Sequence, residues 1–140
     1  MSKKRQPTGE QFRNFRDHPR KGPVQMINLL KFRDRATYKE GEVEVPDVSG
    51  REAYRRYGVA MAAMVADVGG RVVLTGQPEG MFIGNDADLW DEVLVVEYPS
   101  RDAFLQMLSM PEYHAVHMHR DAGLDHQQLI QCRPGGDAIG

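Results

Sequence analysis

At 140 residues and 41% hydrophobic content, the chain suits one domain that buries roughly two-thirds of its unfolded surface without disulfides or metals to hold it. A single cysteine, Cys132, cannot close an internal bridge, and no apolar run reaches signal-peptide or membrane-spanning length, so a reducing, cytoplasmic setting with no membrane partner is expected. Net charge is −2, yet residues 1–22 carry +5 and the remainder −7; lacking the aromatic and glycine pattern of a nucleic-acid fold, this arm reads as solvated, and nucleic acid is not expected as a partner.

Taken in order, residues 8–15 form a short helix in the basic arm, with Thr8 and Gln11 at capping-box spacing, and Pro19, Gly22 and Pro23 turn the chain into a first strand. That strand is Val24-Gln25-Met26-Ile27-Asn28-Leu29-Leu30-Lys31-Phe32. Alternation puts Asn28 on one face with Val24, Met26, Leu30 and Phe32, so an amide with up to four hydrogen bonds to make sits among hydrocarbon. Burying it costs free energy unless it finds partners, which marks either a pocket or a polar network that fixes the fold.

Residues 33–48 are polar and acidic, without apolar period, and read as a mobile loop over one end of the sheet. Ser49, with Glu52 three residues on, caps a helix whose stripe is Tyr54, Tyr57, Met61, Met64, Val65 and Val68. Arg51, Arg55 and Arg56 lie off it, and Gly69-Gly70 stops the helix. A second strand at 71–77 leads through Pro78-Glu79-Gly80 to the apolar triplet Met81-Phe82-Ile83. The third strand, 92–98, runs Val93-Leu94-Val95-Val96 without alternation and is expected to be covered on both faces. Ser100 caps a second helix with one stripe of Phe104, Met107, Leu108, Pro111, Ala115, Met118 and Ala122, kinked or restarted at Pro111. A last strand spans 124–132, and residues 133–140 form a frayed tail.

Strand-helix-strand-strand-helix-strand is the ferredoxin-like βαββαβ plan, an α+β fold with an antiparallel four-stranded sheet and its helices on one face. The domain is expected over residues 23–132, after the arm at 1–22. The first and third strands are central neighbours, and apolar residues on both their faces call for a cover on the open side. A second copy of the chain is the simplest one, giving a homodimer packed sheet to sheet.

Several runs carry a family resemblance: Pro23 to Phe32; Ser49-Gly50-Arg51-Glu52-Ala53-Tyr54 with Tyr57-Gly58; Val68-Gly69-Gly70-Arg71-Val72-Val73; Trp90-Asp91-Glu92-Val93; Val96-Glu97-Tyr98-Pro99-Ser100; Pro111-Glu112-Tyr113; and His119-Arg120. The chain resembles the domain of unknown function 1330 (DUF1330) family from Thr8 to Cys132. The resemblance implies the dimeric α+β barrel fold and no particular reaction. The acidic loop at 39–48 looks longer than the family pattern, and His114 and His117 fall outside it.

Candidate chemistry centres on Asn28, which either orients a substrate carbonyl or carboxylate or is a satisfied core amide. Around it, Tyr57 either presents its hydroxyl or is plain core, and Trp90 either walls a pocket mouth or packs at an edge. Glu97, in a buried run, either pairs with a cation or serves as a general base. His119 and Arg120 either shuttle a proton and hold an anionic substrate or simply complement a helix terminus. Asn28, Tyr57, Trp90 and Arg120 are thus the substrate-binding candidates and His119 and Glu97 the catalytic ones. His114, His117 and Asp121 share one helix edge, too weak a pattern to expect a metal, and no cofactor is expected. No nucleophile elbow or phosphate-binding glycine loop is present, and Cys132 lacks an activating helix start. The function expected is small-molecule binding, with cofactor-free proton transfer or oxidation of a small carbonyl or aromatic compound if the protein is an enzyme. The alternative is a non-catalytic dimerisation or ligand-sensing module.

Overall fold

Alternation and capping place the elements. The computed structural model describes residues 5–135; Lys3 and Lys4 of the basic arm and residues 136–140 of the expected tail lie outside the described residues. The order is α1 (Gly9–Arg16), β1 (Val24–Phe32), α2 (Gly50–Asp67), β2 (Arg71–Gly76), β3 (Glu92–Tyr98), α3 (Arg101–Leu108), α4 (Pro111–Gly123) and β4 (Leu124–Cys132). Both halves of the Thr8–Gln11 capping box are made. Ser49 and Ser100 each accept from the backbone N–H three residues on, and Gly69 takes the positive φ of +82° that turns the chain out of α2.

The strands form one antiparallel sheet in the order β2-β3-β1-β4, with β1 and β3 at its centre. Register fixes which side chains share a face. Val24, Met26, Asn28 and Leu30 of β1 stand opposite Tyr98, Val96, Leu94 and Glu92 of β3, and this face lies under the helices. Its core has two parts: Phe15, Met64, Val65 and Met107 against Val24, Met26, Val96 and Tyr98, and Tyr54 and Tyr57 against Leu30 and Leu124. The other face carries Ile27, Leu29, Val93, Val95, Leu74 and Ile130, and among the described residues no element covers it. The expectation that β3 is covered on both sides is met on one side only: Val96 and Tyr98 are buried, whereas Val93 and Val95 are half-buried.

Of the two outcomes expected at Pro111, a kink or a restart, the chain takes the restart: the helix stops at Leu108 and begins again, with Met110 extended as N-cap and Pro111 in the first helical turn, where its missing N–H costs nothing. The expectation of one continuous stripe is corrected. The restart re-phases the helix: Pro111 and Ala115 are exposed, and Tyr113, Val116 and Arg120 turn inward instead. The polar loop after β1 is tied down where it leaves the strand and where it enters α2. Ala36 N–H donates to Val48, Thr37 N–H donates to Ala122, and Arg35 bridges to Ser49.

Where α2 begins and α4 ends, the two backbones touch. A β-carbon on Gly50 would stand 2.1 Å from the Arg33 carbonyl oxygen, and one on Gly123 would stand 2.3 Å from the Gly50 carbonyl oxygen. Only glycine fits either position, and the approach is sealed by bonds from Arg33 N–H to Gly123 O (2.9 Å) and Gly50 N–H to Arg33 O (3.1 Å).

Candidate functional site

Away from that contact the helices and the covered sheet face separate, leaving a cleft of about 1490 Å³. Its floor includes Met26, Asn28 and Leu94, and its walls include Tyr57, Met61 and Tyr113. Residues 5–8 of the arm cross one margin, held by Arg5 Nη1 donating to the Asp125 carbonyl (3.2 Å) and by Arg120 Nη2 donating to the Arg5 carbonyl. The lining is mostly apolar, but four arginines (Arg5, Arg51, Arg55 and Arg120) reach it against one carboxylate, Glu92.

Asn28 is half-buried in the floor. Its amide nitrogen donates to the carbonyls of Met26 and Leu94, both at 3.2 Å. Those bonds lock the carboxamide to the sheet and leave Oδ1 as the acceptor it offers. Tyr54, Tyr57 and Tyr113 form a ladder beside it, with ring centroids 5.3 and 6.2 Å apart. Burial raises the phenols of Tyr54 and Tyr57 well above the ordinary tyrosine range, neighbouring phenols add to this for Tyr57, and Arg120 opposes both shifts. The hydroxyls therefore remain neutral hydrogen-bond groups at physiological pH.

Arg120 is 7% exposed. Its Nη1 makes no hydrogen bond among the described residues, the nearest carboxylate oxygen, that of Asp121, standing at 3.7 Å. Gln127 Oε1 on β4 is likewise buried and unbonded. A charged donor and a neutral acceptor held out of water without a hydrogen bond each cost free energy.

Of the six residues singled out from sequence, the cleft gathers Asn28, Tyr57 and Arg120 and does not gather Trp90, Glu97 or His119. Trp90 stacks on His126, centroids 5.2 Å apart, with His126 Nδ1 2.7 Å from Asp125 Oδ2. Glu97 stands on the open face, across from Gln25 and Arg71 in register. Its carboxylate accepts from Gln25 Nε2 at 3.0 Å and from Arg71 Nη2 at 3.4 Å, the pairing that was one of its two expected roles. His119 lies on the outer side of α4, its Nδ1 2.7 Å from the Tyr38 hydroxyl, which also accepts from Arg56 Nη1 at 3.3 Å. Burial, then the Arg56 charge, lowers the His119 pKa, with Glu42 opposing. His117 pairs with Asp121 at 3.1 Å on the same helix. Among the described residues no group of three or more His, Cys, Asp or Glu is placed to hold a metal ion, and no helix is long and apolar enough to cross a membrane.

Sequence reasoning passed over Tyr113, Gln127 and the three arginines, Arg5, Arg51 and Arg55, that join Arg120 around the cleft. Tyr113 was hidden by the assumption of one continuous stripe through Pro111. Gln127 was hidden by a register shift in the β1–β4 pairing between Lys31 and Phe32. Leu124 is buried at the start of β4, and without that shift His126 would share its face; with it, Gln127 stands opposite Leu30 instead.

Comparison with known proteins bears on family and fold. No curated protein matches the chain. Among solved structures it is similar to the RPA0582 protein of unknown function from Rhodopseudomonas palustris, 37% identical over 97% of this chain and 100% of that one, TM-score 0.88. The methylated RPA0582 protein is similar at 37% identity over 99% of this chain and 100% of that one, TM-score 0.89. A dabb family protein with a ferredoxin-like fold from Mesorhizobium loti shares 12% identity over 82% of this chain and 99% of that one, TM-score 0.52, and supports the fold alone. The family described as domain of unknown function (DUF1330) matches residues 43–131. With the α+β, ferredoxin-like architecture in place and that match spanning most of the chain, the protein belongs to the DUF1330 family.

Proposed function

We propose that the protein binds a small molecule in the cleft between sheet and helices, as a homodimer with one such site per subunit. The observation that carries the binding reading is an open space that reaches Asn28 and is walled by Tyr57 and by the buried, incompletely bonded Arg120. A sealed core would satisfy a dimerisation module; a cavity of this size, apolar with a few converging polar groups, is the usual form of a ligand site. Residues 23–132 would supply most of the site, with the end of the arm forming one margin. The groups expected to be catalytic, His119 and Glu97, lie off the cleft, so the reading is of binding, and proton transfer would fall to groups that line it.

Support for the homodimer comes from the open sheet face. Leu74 is 51% exposed and Ile130 43%, beside half-buried Ile27, Leu29, Val93 and Val95. The β2–β3 connection adds Phe82 and Ile83, 101% and 86% exposed. A contiguous apolar surface of that kind on a folded chain marks an association site, and an isologous sheet-to-sheet pair would cover it in both copies at once.

Thermal-shift screening against metabolites tests the binding reading. A ligand at one hundred times its Kd stabilises the native state by about 2.7 kcal/mol, a rise of several degrees for a domain of this size. The shift should be lost in Met61→Trp, which fills the cleft, and reduced in Asn28→Ala. Ligands whose shifts ignore both substitutions would overturn the reading. Light scattering should give twice the chain mass, falling to one chain in Val95→Glu; a monomeric wild type would sink the dimer.

A further inference from the structure

We propose that the ligand of this cleft is a small organic acid that also carries a hydroxyl or amine: a carboxylate for Arg120, a hydrogen-bond donor for Gln127, and an apolar or aromatic body along the tyrosines. This rests on the binding reading above and names the class of molecule the site selects.

The inference follows from which halves of the hydrogen bonds are missing. Arg120 has a planar fork of donors; Nη2 is used on the Arg5 carbonyl, and Nη1 is buried without a hydrogen bond, its half-exposed ion-pair partner Asp121 standing off at 3.7 Å. The complement of a buried guanidinium nitrogen that lacks a hydrogen bond is an anionic oxygen at closer range, which a ligand carboxylate supplies. The lining is in keeping with an anionic guest: four arginines reach the cleft, and although Arg51, Arg55 and Arg120 each stand within 3.5–3.7 Å of a carboxylate of Glu92, Glu52 or Asp121, only Glu92 of these lines it.

The second missing half is of opposite polarity. Gln127 Oε1 is a buried acceptor without a donor. In register it stands beside Leu30, one rung along the same sheet face from Asn28, which pairs with Leu129. Diagonal neighbours of that kind lie within about 8 Å, so the Asn28 and Gln127 carboxamides present two acceptors side by side, with the Asn28 nitrogen committed to backbone carbonyls. Two acceptors ask for a donor on the ligand; a plain fatty or aryl acid would leave them unsatisfied. Between acceptors and arginine runs the aromatic wall. Tyr54 packs in one cluster with Leu30 and Tyr57, and the Arg120 charge acts on both phenols. The two polar ends are therefore bridged by ring faces, which favours a short acid with an aromatic or branched body over an extended chain.

The experiment is calorimetric titration of the full chain with three probes: 3-(4-hydroxyphenyl)propanoate, whose carboxylate and hydroxyl lie at opposite ends of one ring, its neutral amide, and 3-phenylpropanoate, which lacks the hydroxyl. The hydroxylated acid should bind most tightly. The amide should bind roughly tenfold to a hundredfold more weakly, and the deoxy acid about tenfold more weakly, as expected for losing a charge-assisted and a neutral hydrogen bond. Arg120→Gln should abolish the preference for acid over amide. Because that side chain is buried and its variant can misfold, Gln127→Leu is the second test. It should erase the discrimination between 3-(4-hydroxyphenyl)propanoate and 3-phenylpropanoate while keeping the acid-over-amide preference. Equal affinity for acid and amide, with Met61→Trp still blocking both, would overturn this inference and leave the cleft reading standing. Discrimination unchanged in Gln127→Leu would overturn the donor requirement. Absence of binding by all three probes would overturn the inference as stated, and the metabolite screen would decide the cleft reading separately.

Discussion

The two faces of the sheet treat polar groups in opposite ways. On the open face they are matched: Gln25, Glu97 and Arg71 form one chain of bonds, Lys31 pairs with Asp91 at 3.3 Å, and His126 sits between Asp125 and Trp90. On the face under the helices, where solvent is scarcest, the matching is incomplete: the Asn28 nitrogen is bonded, but Gln127 Oε1 has no hydrogen bond, and neither does Arg120 Nη1 on the helix above it, whose ion pair with Asp121 is long at 3.7 Å. Unsatisfied polar atoms are tolerable where water reaches them and costly where it does not, so the distribution runs against stability on the covered side. On the proposed reading the two faces do different work: the apolar open face takes another copy, and the imperfect polar set on the covered face takes a guest.

The largest effect that sharpens this contrast comes from matched truncations on β1. Leu30, fully buried on the covered face, should lose about 3 kcal/mol of unfolding free energy as Leu30→Ala. Ile27→Ala, on the open face, should cost only about 1 kcal/mol in the separated subunit and act instead by raising the dimer dissociation constant. Denaturant melts at two protein concentrations separate the cases, and equal, concentration-independent losses would erase the distinction between the faces. A smaller effect carries the reverse sign. Gln127→Leu removes a buried acceptor without a donor and should raise stability by about 1 kcal/mol; a loss of that size would mean the amide is satisfied after all.

The smallest concerns neither face. His119 has a pKa held below its ordinary 6.5 by burial and then by Arg56. Above pH 6.5 the ring is neutral whether the chain is folded or not. As pH falls below 6.5 the unfolded chain takes up the proton first, so stability declines until the folded pKa is passed and then levels off. In His119→Asn that decline should flatten, while ligand shifts and dimer mass stay as in the wild type. A change in ligand affinity would connect this group to the cleft after all.

Much of the architecture was legible because local chemistry and long-range pattern agree. Thr8, Ser49 and Ser100 open helices, Gly69 closes one, and period-two alternation in β1 places Asn28 among Val24, Met26 and Leu30. The candidate site was legible where a polar residue interrupts an apolar period in a regular element, as Asn28 and Tyr57 do, and at Arg120, which the family resemblance singled out. It was obscured wherever the period itself is reset: at Pro111, which rotates Tyr113 inward, and at the start of β4, where an irregular pairing step exchanges His126 for Gln127. Glu97 reads as buried in the one-dimensional pattern because its neighbours are valines. Its face is known only once Gln25 and Arg71 are seen beside it.

The glycine contact between α2 and α4 sets the gauge of the helical layer. Gly50 and Gly123 bring the two backbones together at one end, while farther along the same pair is spaced by the rings of Tyr57 and Tyr113. A single methyl at either glycine would force the backbones apart and carry those rings with them. The position of the aromatic wall is thus governed by two residues with no side chain to add to it.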